Sequence, residues 1–235
     1  MAEPQRIVIL TGAGISADSG VSTFRDPEGI WAKYDYREVA TPEGFARNPA
    51  LVHSFYNARR ANLSTVEPNA AHEALARLEE ALGERLTLVT QNVDDLHERG
   101  GVKRVIHMHG ELKKARCASC GAVHLWTEDL SVETRCPDCK ADRFMRPHIV
   151  WFGEMPMFME EIAVAISRAD LFVSIGTSGN VYPAAGFVGE ARSYGIPCVE
   201  LNLEPSGNAW AFTDARYGRA SEIVPQWVGE ALGRA

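Results

Sequence analysis

Four of the five cysteines in this chain form two close pairs, Cys117 with Cys120 and Cys136 with Cys139, at the spacing C-x2-C-x15-C-x2-C. Two pairs at this spacing are typical of a tetrahedral Zn²⁺ site in which each pair lies in a tight knuckle. Because cysteine fills all four positions, no coordination position remains for water, and we expect one structural zinc ion. The fifth cysteine, Cys198, lies in an apolar run and is predicted to be a buried small hydrophobe.

Short apolar runs alternate with helical patterns along most of the chain. The runs at 6–10, 86–89, 171–175 and 198–201 predict strands of a parallel sheet covered on both faces. The intervening pattern predicts three helices, over 70–82 with Asn69 as N-cap, over 183–192 and over 227–232. This alternation predicts an α/β fold with a Rossmann-like doubly wound parallel sheet.

Two segments depart from the alternation and predict a smaller inserted lobe. Residues 34–67 are helical and polar without a strand, and residues 113–147 carry the four paired cysteines among many turns. We predict that they form a helical module and a zinc-ribbon module. The remaining residues, 1–33, 68–112 and 148–235, are then predicted to form the Rossmann-like domain.

Charge and hydropathy exclude several classes of partner. The formal net charge is −7, with 24 Lys and Arg against 31 Asp and Glu, and the chain has no long basic run, so we expect no nucleic-acid partner. The apolar run 7–10 is too short for a signal-peptide core, and no stretch approaches the roughly 20 apolar residues of a membrane span. We therefore expect a soluble cytoplasmic protein without a membrane partner.

A glycine-rich loop, Gly12-Ala13-Gly14-Ile15, directly follows the first predicted strand. Such a loop is either a dinucleotide phosphate loop or an ordinary tight turn between strand and helix. No acidic residue ends a second strand about 20 residues later, as in an ordinary Rossmann dehydrogenase. Instead, residues 19–26 form a glycine-rich polar segment typical of a mobile cofactor lid.

Polar residues follow the strand at 86–89, and a histidine pair precedes the cysteines. Gln91, Asn92 and Asp94 could bind sugar hydroxyls at the strand end, or Asn92 and Asp94 could cap a helix. His109 is a candidate general base, although a single histidine is more often structural. Five other histidines are interpreted as structural or surface residues: His53, His72, His97, His124 and His148.

Taken together, these motifs resemble the sirtuin family of NAD-dependent protein-lysine deacylases. The matching motifs run from residue 11 to about residue 220 and comprise 12–16, 24–26, 91–94, 109–110, the four paired cysteines, 150–154, 176–178 and 202–204. The resemblance implies NAD as a consumed co-substrate, one structural Zn²⁺, and His109 as the general base. It assigns ribose recognition to Ser178 and Asn202, in place of the missing acidic residue.

The resemblance also implies the residues of the binding sites. The cofactor-binding residues would be Gly12, Ala13, Gly14, Ile15, Phe24, Arg25, Gln91, Asn92, Val93, Asp94, Gly176, Thr177, Ser178, Asn202, Leu203, Glu204 and Ala220. Val150 and Phe152 on one side, with Gly179 and Val181 on the other, would flank an acyl-lysine peptide bound as an added strand.

The reaction implied by the resemblance begins with displacement of nicotinamide from ribose by the acyl oxygen. His109 would then deprotonate a ribose hydroxyl, and water would finally release lysine and O-acyl-ADP-ribose. Mono-ADP-ribosyl transfer at the same NAD site is the main alternative. A zinc-ribbon module that binds nucleic acid or protein is disfavoured by the acidic charge balance, and a dehydrogenase by the missing acidic residue.

Tyr56 and Arg59 lie three residues apart in the helical insertion and therefore share one helix face. A phenol donor and a guanidinium fork suit a carboxylate, although an exposed helical arginine is usually only solvated. In the sirtuins that this sequence resembles, a Tyr-x-x-Arg pair lines the acyl pocket and selects acidic acyl groups. The resemblance therefore implies removal of succinyl and malonyl groups, with acetyl removal retained.

Overall fold

The computed structural model describes residues 6–22, 33–142 and 145–233. Within these ranges the chain forms nine strands, β1 (Ile7–Thr11), β2 (Leu86–Thr90), β3 (Val105–His107), β4 (Gly110–Cys117), β5 (Val123–Leu125), β6 (Met145–Ile149), β7 (Leu171–Ile175), β8 (Cys198–Asn202) and β9 (Asp214–Tyr217). The same ranges contain eight α-helices, α1 (Tyr36–Val39), α2 (Pro42–Arg47), α3 (Pro49–Asn62), α4 (Ala70–Leu82), α5 (Leu96–Arg99), α6 (Met159–Ser167), α7 (Phe187–Ser193) and α8 (Ala220–Gly233). None of these helices combines the length and apolar character needed to cross a bilayer.

Six strands form a parallel sheet in the order β3-β2-β1-β7-β8-β9. The chain leaves the centre of the sheet toward β3 and returns to continue from β7 toward β9. The direction of winding therefore changes between β1 and β7. In open α/β sheets such a change creates a crevice at the carboxyl ends of the strands, where ligands bind. The predicted α/β, Rossmann-like fold is confirmed.

Helices cover both faces of this sheet because successive side chains of each buried strand point to opposite sides. Ile7 and Ile9 of β1 pack in one core with α4 and α8, which contribute Leu75 and Trp227. Val8 and Leu10, which point to the opposite side of β1, pack in a second core with α6 and α7. Burying each aliphatic side chain of this kind stabilises the fold by about 1.5–3 kcal/mol.

The predicted elements are confirmed with shifts at their ends. All four predicted strands are present, and α4 has the predicted limits, with Asn69 accepting a hydrogen bond from the backbone N–H of Ala71. The helix predicted over 227–232 is longer, because α8 begins at Ala220 and continues through Pro225, a residue that usually ends a helical pattern. The short edge strands β3 and β9 were not predicted.

A second, antiparallel sheet has the order β5-β4-β6 and lies with α1, α2 and α3. Helix α3 buries Phe55 and Tyr56 against Leu112, Ile149 and Trp151. The sequence predicted turns and cysteines here but not these strands. The division of the chain into a Rossmann-like domain and a small lobe stays a prediction.

Candidate active site

The glycine loop after β1 packs directly against the loop that follows β7. The backbone N–H of Gly12 donates to Ile175, and that of Gly14 donates to Gly176, at 3.0 and 2.9 Å. A Cβ on Gly14 would lie 2.7 Å from the Cα of Gly176, which itself has a φ of +62°. The two backbones can approach this closely only because these positions lack side chains. Ala13 and Ile15 lie in the same loop, as a short 3₁₀ turn.

A buried polar cluster joins this loop to the end of β2. The hydroxyl of Ser16 donates to Asp94 at 3.2 Å and accepts from the side-chain amide of Asn92 at 3.1 Å. Burial raises the pKa of Asp94, although hydrogen bonds from Leu96 and Ser16 oppose that shift. Asp94 also accepts the backbone N–H of Leu96, the first residue of α5, at 3.1 Å, but the N-cap position of that helix is Asp95, so neither Asn92 nor Asp94 is its N-cap.

His72 completes this cluster, although the sequence placed it among the structural or surface histidines. Its Nδ1 accepts from the backbone N–H of Asn69 at 3.2 Å, so its Nε2 carries the proton and faces the Ser16 hydroxyl at 3.5 Å. Burial lowers the pKa of His72 to about 4, which keeps the imidazole neutral. No sequence signal indicated that His72 and Ser16, 56 positions apart, would meet.

Gln91 and Val93 lie on either side of Asn92 in the sequence, and both are held by backbone hydrogen bonds. Gln91 follows β2 and donates its backbone N–H to Thr11 at 2.9 Å. Val93 accepts the backbone N–H of Leu112 from β4 at 2.8 Å, which connects the end of β2 to the second sheet. His97, which the sequence placed among the structural or surface histidines, is buried. Its Nε2 lies 2.9 Å from the Thr11 hydroxyl at the end of β1.

His109 lies between the parallel sheet and the second sheet and is half-buried. Its Nδ1 is 3.1 Å from the carbonyl oxygen of Gln91, and its own carbonyl accepts the backbone N–H of Val150 at 2.9 Å. Burial lowers the pKa of His109, while the Gln91 hydrogen bond acts in the opposite direction. The imidazole is therefore neutral at pH 7 and can act as a base.

The predicted adenosine-side residues lie at the ends of β7 and β8. The amide of Asn202 donates to the carbonyl of Thr177 at 2.8 Å, and the hydroxyls of Thr177 and Ser174 are 3.0 Å apart. Ser178 accepts the backbone N–H of Gly207 through its carbonyl oxygen. Two further predicted residues, Leu203 and Glu204, follow Asn202 directly and are exposed. A third, Ala220, is the first residue of α8 and is buried.

Together, the glycine-lined contact and the surrounding hydroxyl, amide and carboxyl groups fit a dinucleotide at the carboxyl edge of the sheet. Glycines occupy the positions where the loops after β1 and β7 approach most closely, and hydrogen-bonding groups lie at the ends of β2, β7 and β8. The predicted cofactor residues Phe24 and Arg25 lie outside the described residues, as do residues 23–26 of the predicted lid as a whole, whereas residues 19–22 are described.

Tyr56 and Arg59 meet on the inner face of α3. The Arg59 guanidinium carbon lies 5.6 Å from the Tyr56 ring centroid. Burial lowers the pKa of Arg59, while Tyr56 and Asp94 act in the opposite direction electrostatically. Asp94 belongs to the polar cluster, so Arg59 lies within electrostatic range of the predicted ribose site. Burial also raises the pKa of Tyr56, so this phenol stays protonated and can donate a hydrogen bond.

The residues predicted to flank a peptide lie in two loops. Phe152 donates its backbone N–H to Ala40 at 3.0 Å, and its side chain is 43% exposed. In the other loop Val181 is 36% exposed, and Gly179 has a φ of +68°. A Cβ on Gly179 would lie 2.2 Å from the Asn208 side chain, so this position requires glycine.

The four paired cysteines come together as predicted. Their sulfur atoms all lie within 4.8 Å of one another, and the Cys117–Cys139 and Cys120–Cys136 sulfur pairs are each 3.7 Å apart. Four thiolates at such separations fit one tetrahedral structural zinc ion. The fifth cysteine, Cys198, is fully buried in the core of the parallel sheet, as expected.

The fold and these sites define a Rossmann-like nucleotide-binding protein that also carries a zinc ribbon. The Sir2 family model matches residues 12–183. The chain is 61% identical over 232 residues to an NAD-dependent protein deacylase of Caulobacter vibrioides, covering 97% of this chain and 98% of that protein. It is 56% identical to the NAD-dependent protein deacylase of Salmonella typhimurium, covering 99% and 86% of the two chains.

Solved structures agree with this relationship. A Sir2 homologue in complex with NAD superposes with a TM-score of 0.88 at 36% identity, over 97% of this chain and 90% of that one. A Sir2 protein bound to an acetylated peptide superposes with a TM-score of 0.83 at 31% identity, over 99% and 95%. The chain belongs to the Sir2 family, the sirtuins, which confirms the resemblance drawn from its sequence motifs.

Proposed function

We propose that this protein removes succinyl and malonyl groups, and also acetyl groups, from lysine side chains, with release of nicotinamide and O-acyl-ADP-ribose. The broader activity, NAD-dependent protein deacylation, rests on membership of the Sir2 family and on relatives of that name at 56% and 61% identity. The observation that carries the preference for acidic groups is the contact of Arg59 with Tyr56, whose guanidinium carbon and ring centroid are 5.6 Å apart.

NAD would bind in the crevice between the β1 and β7 loops. Gly12 and Gly14 leave room for the pyrophosphate, Asn92 and Asp94 lie where the nicotinamide ribose would bind, and Asn202 lies on the adenosine side. When bound, NAD supplies a ribose carbon that is activated toward attack by an otherwise unreactive amide oxygen. Ser16 and His72 orient Asn92 and Asp94 through hydrogen bonds.

His109 is the proposed general base. Because the Gln91 carbonyl can only accept, the proton of the neutral ring resides on Nδ1, and Nε2 keeps its lone pair. His109 accepts a proton from a ribose hydroxyl at this Nε2. Positioned general bases of this kind contribute typically about 10²- to 10⁴-fold to rate.

The acyl-lysine substrate is proposed to bind as an extended strand between Val150 and Phe152 on one side and Gly179 and Val181 on the other. The backbone N–H of Val150 binds the His109 carbonyl, so a lysine held beside this segment lies close to the proposed base. The exposed side chains of Phe152 and Val181 would cover the strand. Arg59 lies within electrostatic range of Asp94, and the proposal places the distal end of the acyl group at Arg59.

Substitution of Arg59 by methionine tests the acyl preference. A hydrogen bond to a charged group contributes about 1.5–3 kcal/mol, so Arg59→Met is expected to lower kcat/KM for desuccinylation by roughly 10- to 150-fold. Deacetylation should fall much less, because an acetyl group has no carboxylate. Arg47→Met, on the exposed surface of α2, is the matched control and should preserve both activities. Equal losses on both substrates in Arg59→Met would refute the pocket assignment.

Mono-ADP-ribosyl transfer remains the alternative activity at the same NAD site. The two reactions differ in the destination of the ADP-ribose group. Incubation with labelled NAD and an acyl-lysine peptide should place the label in soluble O-acyl-ADP-ribose. Label retained on a protein acceptor, without loss of the acyl group, would favour the transferase.

A further inference from the structure

We infer that Trp151 is a positioning residue for acyl selectivity, because its indole N–H fixes the Tyr56 hydroxyl so that the phenol donates its proton to an acyl carboxylate. The inference rests on the proposed acidic-acyl activity. It adds a third residue to the Tyr56–Arg59 pair and assigns it a defined role through Tyr56.

The geometry begins with one hydrogen bond between two buried side chains. Trp151 Nε1 donates to the Tyr56 hydroxyl oxygen at 3.1 Å, and the two side chains are 2% and 1% exposed. An indole nitrogen can donate but cannot accept. The phenol oxygen must therefore accept in this contact, and its own proton is left for a different acceptor. A tyrosine whose oxygen is already bound in this way is oriented as a donor.

Glu154 and Arg146 hold Trp151 in this position. The backbone N–H of Trp151 donates to Glu154 at 2.9 Å, and Glu154 also binds Arg146 at 2.7 and 3.0 Å. The guanidinium carbon of Arg146 lies only 3.3 Å from the centroid of the Trp151 ring. Arg146 therefore covers one face of the indole while Glu154 fixes its backbone. Arg116 adds a further bond to Glu154 at 3.0 Å.

The electrostatics of this arrangement favour donation by Tyr56. A cation over an indole face is attracted to the ring, and hydrogen bonds in a chain polarise one another. The N–H of Trp151, polarised by Arg146, strengthens the O–H of Tyr56 as a donor. A succinyl or malonyl carboxylate next to Arg59 would accept that proton in a charge-assisted hydrogen bond. An acetyl group ends before this point and gains nothing from the arrangement.

Trp151→Phe tests the inference because it keeps an aromatic ring and removes the donor. The expected result is a roughly 2- to 13-fold lower kcat/KM for desuccinylation, the range for loss of one ordinary hydrogen bond, expressed mainly as a higher KM. Deacetylation by the same variant should change by less, which also shows that the protein is folded. Trp126→Phe is the matched control, because Trp126 packs against the separate small core around Leu130, and it should leave the ratio of the two activities unchanged.

A double-mutant cycle separates the proposed role from a general effect on packing. In a Tyr56→Phe background the hydroxyl is absent, so adding Trp151→Phe should cause no further loss of desuccinylation. Independent, additive losses would overturn the inference, as would equal losses on succinyl and acetyl substrates. If Trp151→Phe does not fold, Glu154→Gln decides the matter, because it loosens the backbone contact while keeping the indole. That variant should also lose desuccinylation selectively, and an unchanged ratio would overturn the inference.

The wild-type protein distinguishes failure of the inference from failure of the proposed function. If the wild type removes acetyl but not succinyl groups, the acidic-acyl function is wrong and the inference falls with it. If the wild type removes succinyl groups and Trp151→Phe does so equally well, only the role of Trp151 is refuted.

Discussion

Nδ1 of His109 lies 3.1 Å from the carbonyl oxygen of Gln91, the residue that immediately follows β2. This contact couples the orientation of the imidazole to the strand end that also carries Asn92 and Asp94. A carbonyl oxygen has no proton to give, so the hydrogen bond selects the tautomer with the proton on Nδ1. The basic nitrogen is thereby fixed as Nε2.

The pH dependence of deacylation follows from this environment. Burial lowers the pKa of His109 below its ordinary value of 6.5, with the Gln91 contact acting in the opposite direction. Since the proposed general base acts in its neutral form, activity should fall as pH decreases through this lowered pKa. The acidic limb of kcat/KM for an acetyl-lysine peptide should therefore have its midpoint below 6.5. A midpoint above that value would contradict the burial argument.

Replacement of the base should abolish turnover without unfolding the protein. His109→Ala removes a half-buried side chain whose described hydrogen bond is to a backbone carbonyl. We expect deacylation to fall by at least about 10²-fold, with a circular dichroism spectrum and melting temperature close to the wild type. His124→Ala, in the short strand β5, is the control and should stay active. Full turnover by His109→Ala would remove this residue from the mechanism.

Zinc removal should destabilise the small sheet and the helix that carries Tyr56 and Arg59. Cys117 and Cys136 are part of the small core around Leu130, and Leu130 is bound to Asn57 of α3 through both its N–H and its carbonyl. Cys139→Ser should therefore lose bound zinc and raise KM for the peptide. Metal analysis by mass spectrometry and kinetic assays measure the two effects.

Cys198→Ala provides the matched control for the zinc experiment. This cysteine is buried in the core of the parallel sheet, away from the four-cysteine cluster, so the variant should keep one zinc ion per chain. If Cys139→Ser retains zinc at the wild-type level, the cluster is not the metal site.

The glycine loop allows a sharp test of backbone proximity. A Cβ on Gly14 would lie 2.7 Å from one backbone atom of Gly176, whereas a Cβ on Gly189 in α7 would meet nothing within 4 Å. We expect Gly14→Ala to destabilise the protein by about 1–3 kcal/mol and to weaken NAD binding, as overpacking does. Gly189→Ala should be neutral or stabilising by roughly 0.5–1 kcal/mol, because alanine favours helix. Denaturant unfolding and NAD titration compare the two variants, and equal stabilities would contradict the close approach.

Local patterns were sufficient to predict the parallel sheet and the cysteine cluster. Continuous apolar runs identify strands that are buried on both faces, and ligand spacing in a zinc knuckle is a property of a few adjacent residues. The edge strands β3 and β9 are only three and four residues long, and β9 contains Asp214 and Arg216. Such a short polar run carries no strand pattern of its own, since its pairing depends on the neighbouring strand.

Contacts between distant segments could not be predicted from the sequence. Ser16 meets His72 and Asp94 only because β1 and β2 are neighbours in the sheet, with Thr11 opposite Thr90. The same applies to Trp151, which lies 95 positions from Tyr56. The glycines were predicted for their approach to a phosphate, and the structure adds a second reason, namely the contact with Gly176.

The most direct test of the proposed function is a parallel assay of succinyl-, malonyl- and acetyl-lysine peptides of one sequence, with nicotinamide and O-acyl-ADP-ribose measured by mass spectrometry. We predict NAD-dependent release of both products from all three peptides, with the Arg59→Met variant losing activity mainly on the succinyl and malonyl peptides. Turnover of the acetyl peptide alone by the wild-type protein, with the two acidic peptides left intact, would contradict the acyl preference assigned to Tyr56 and Arg59.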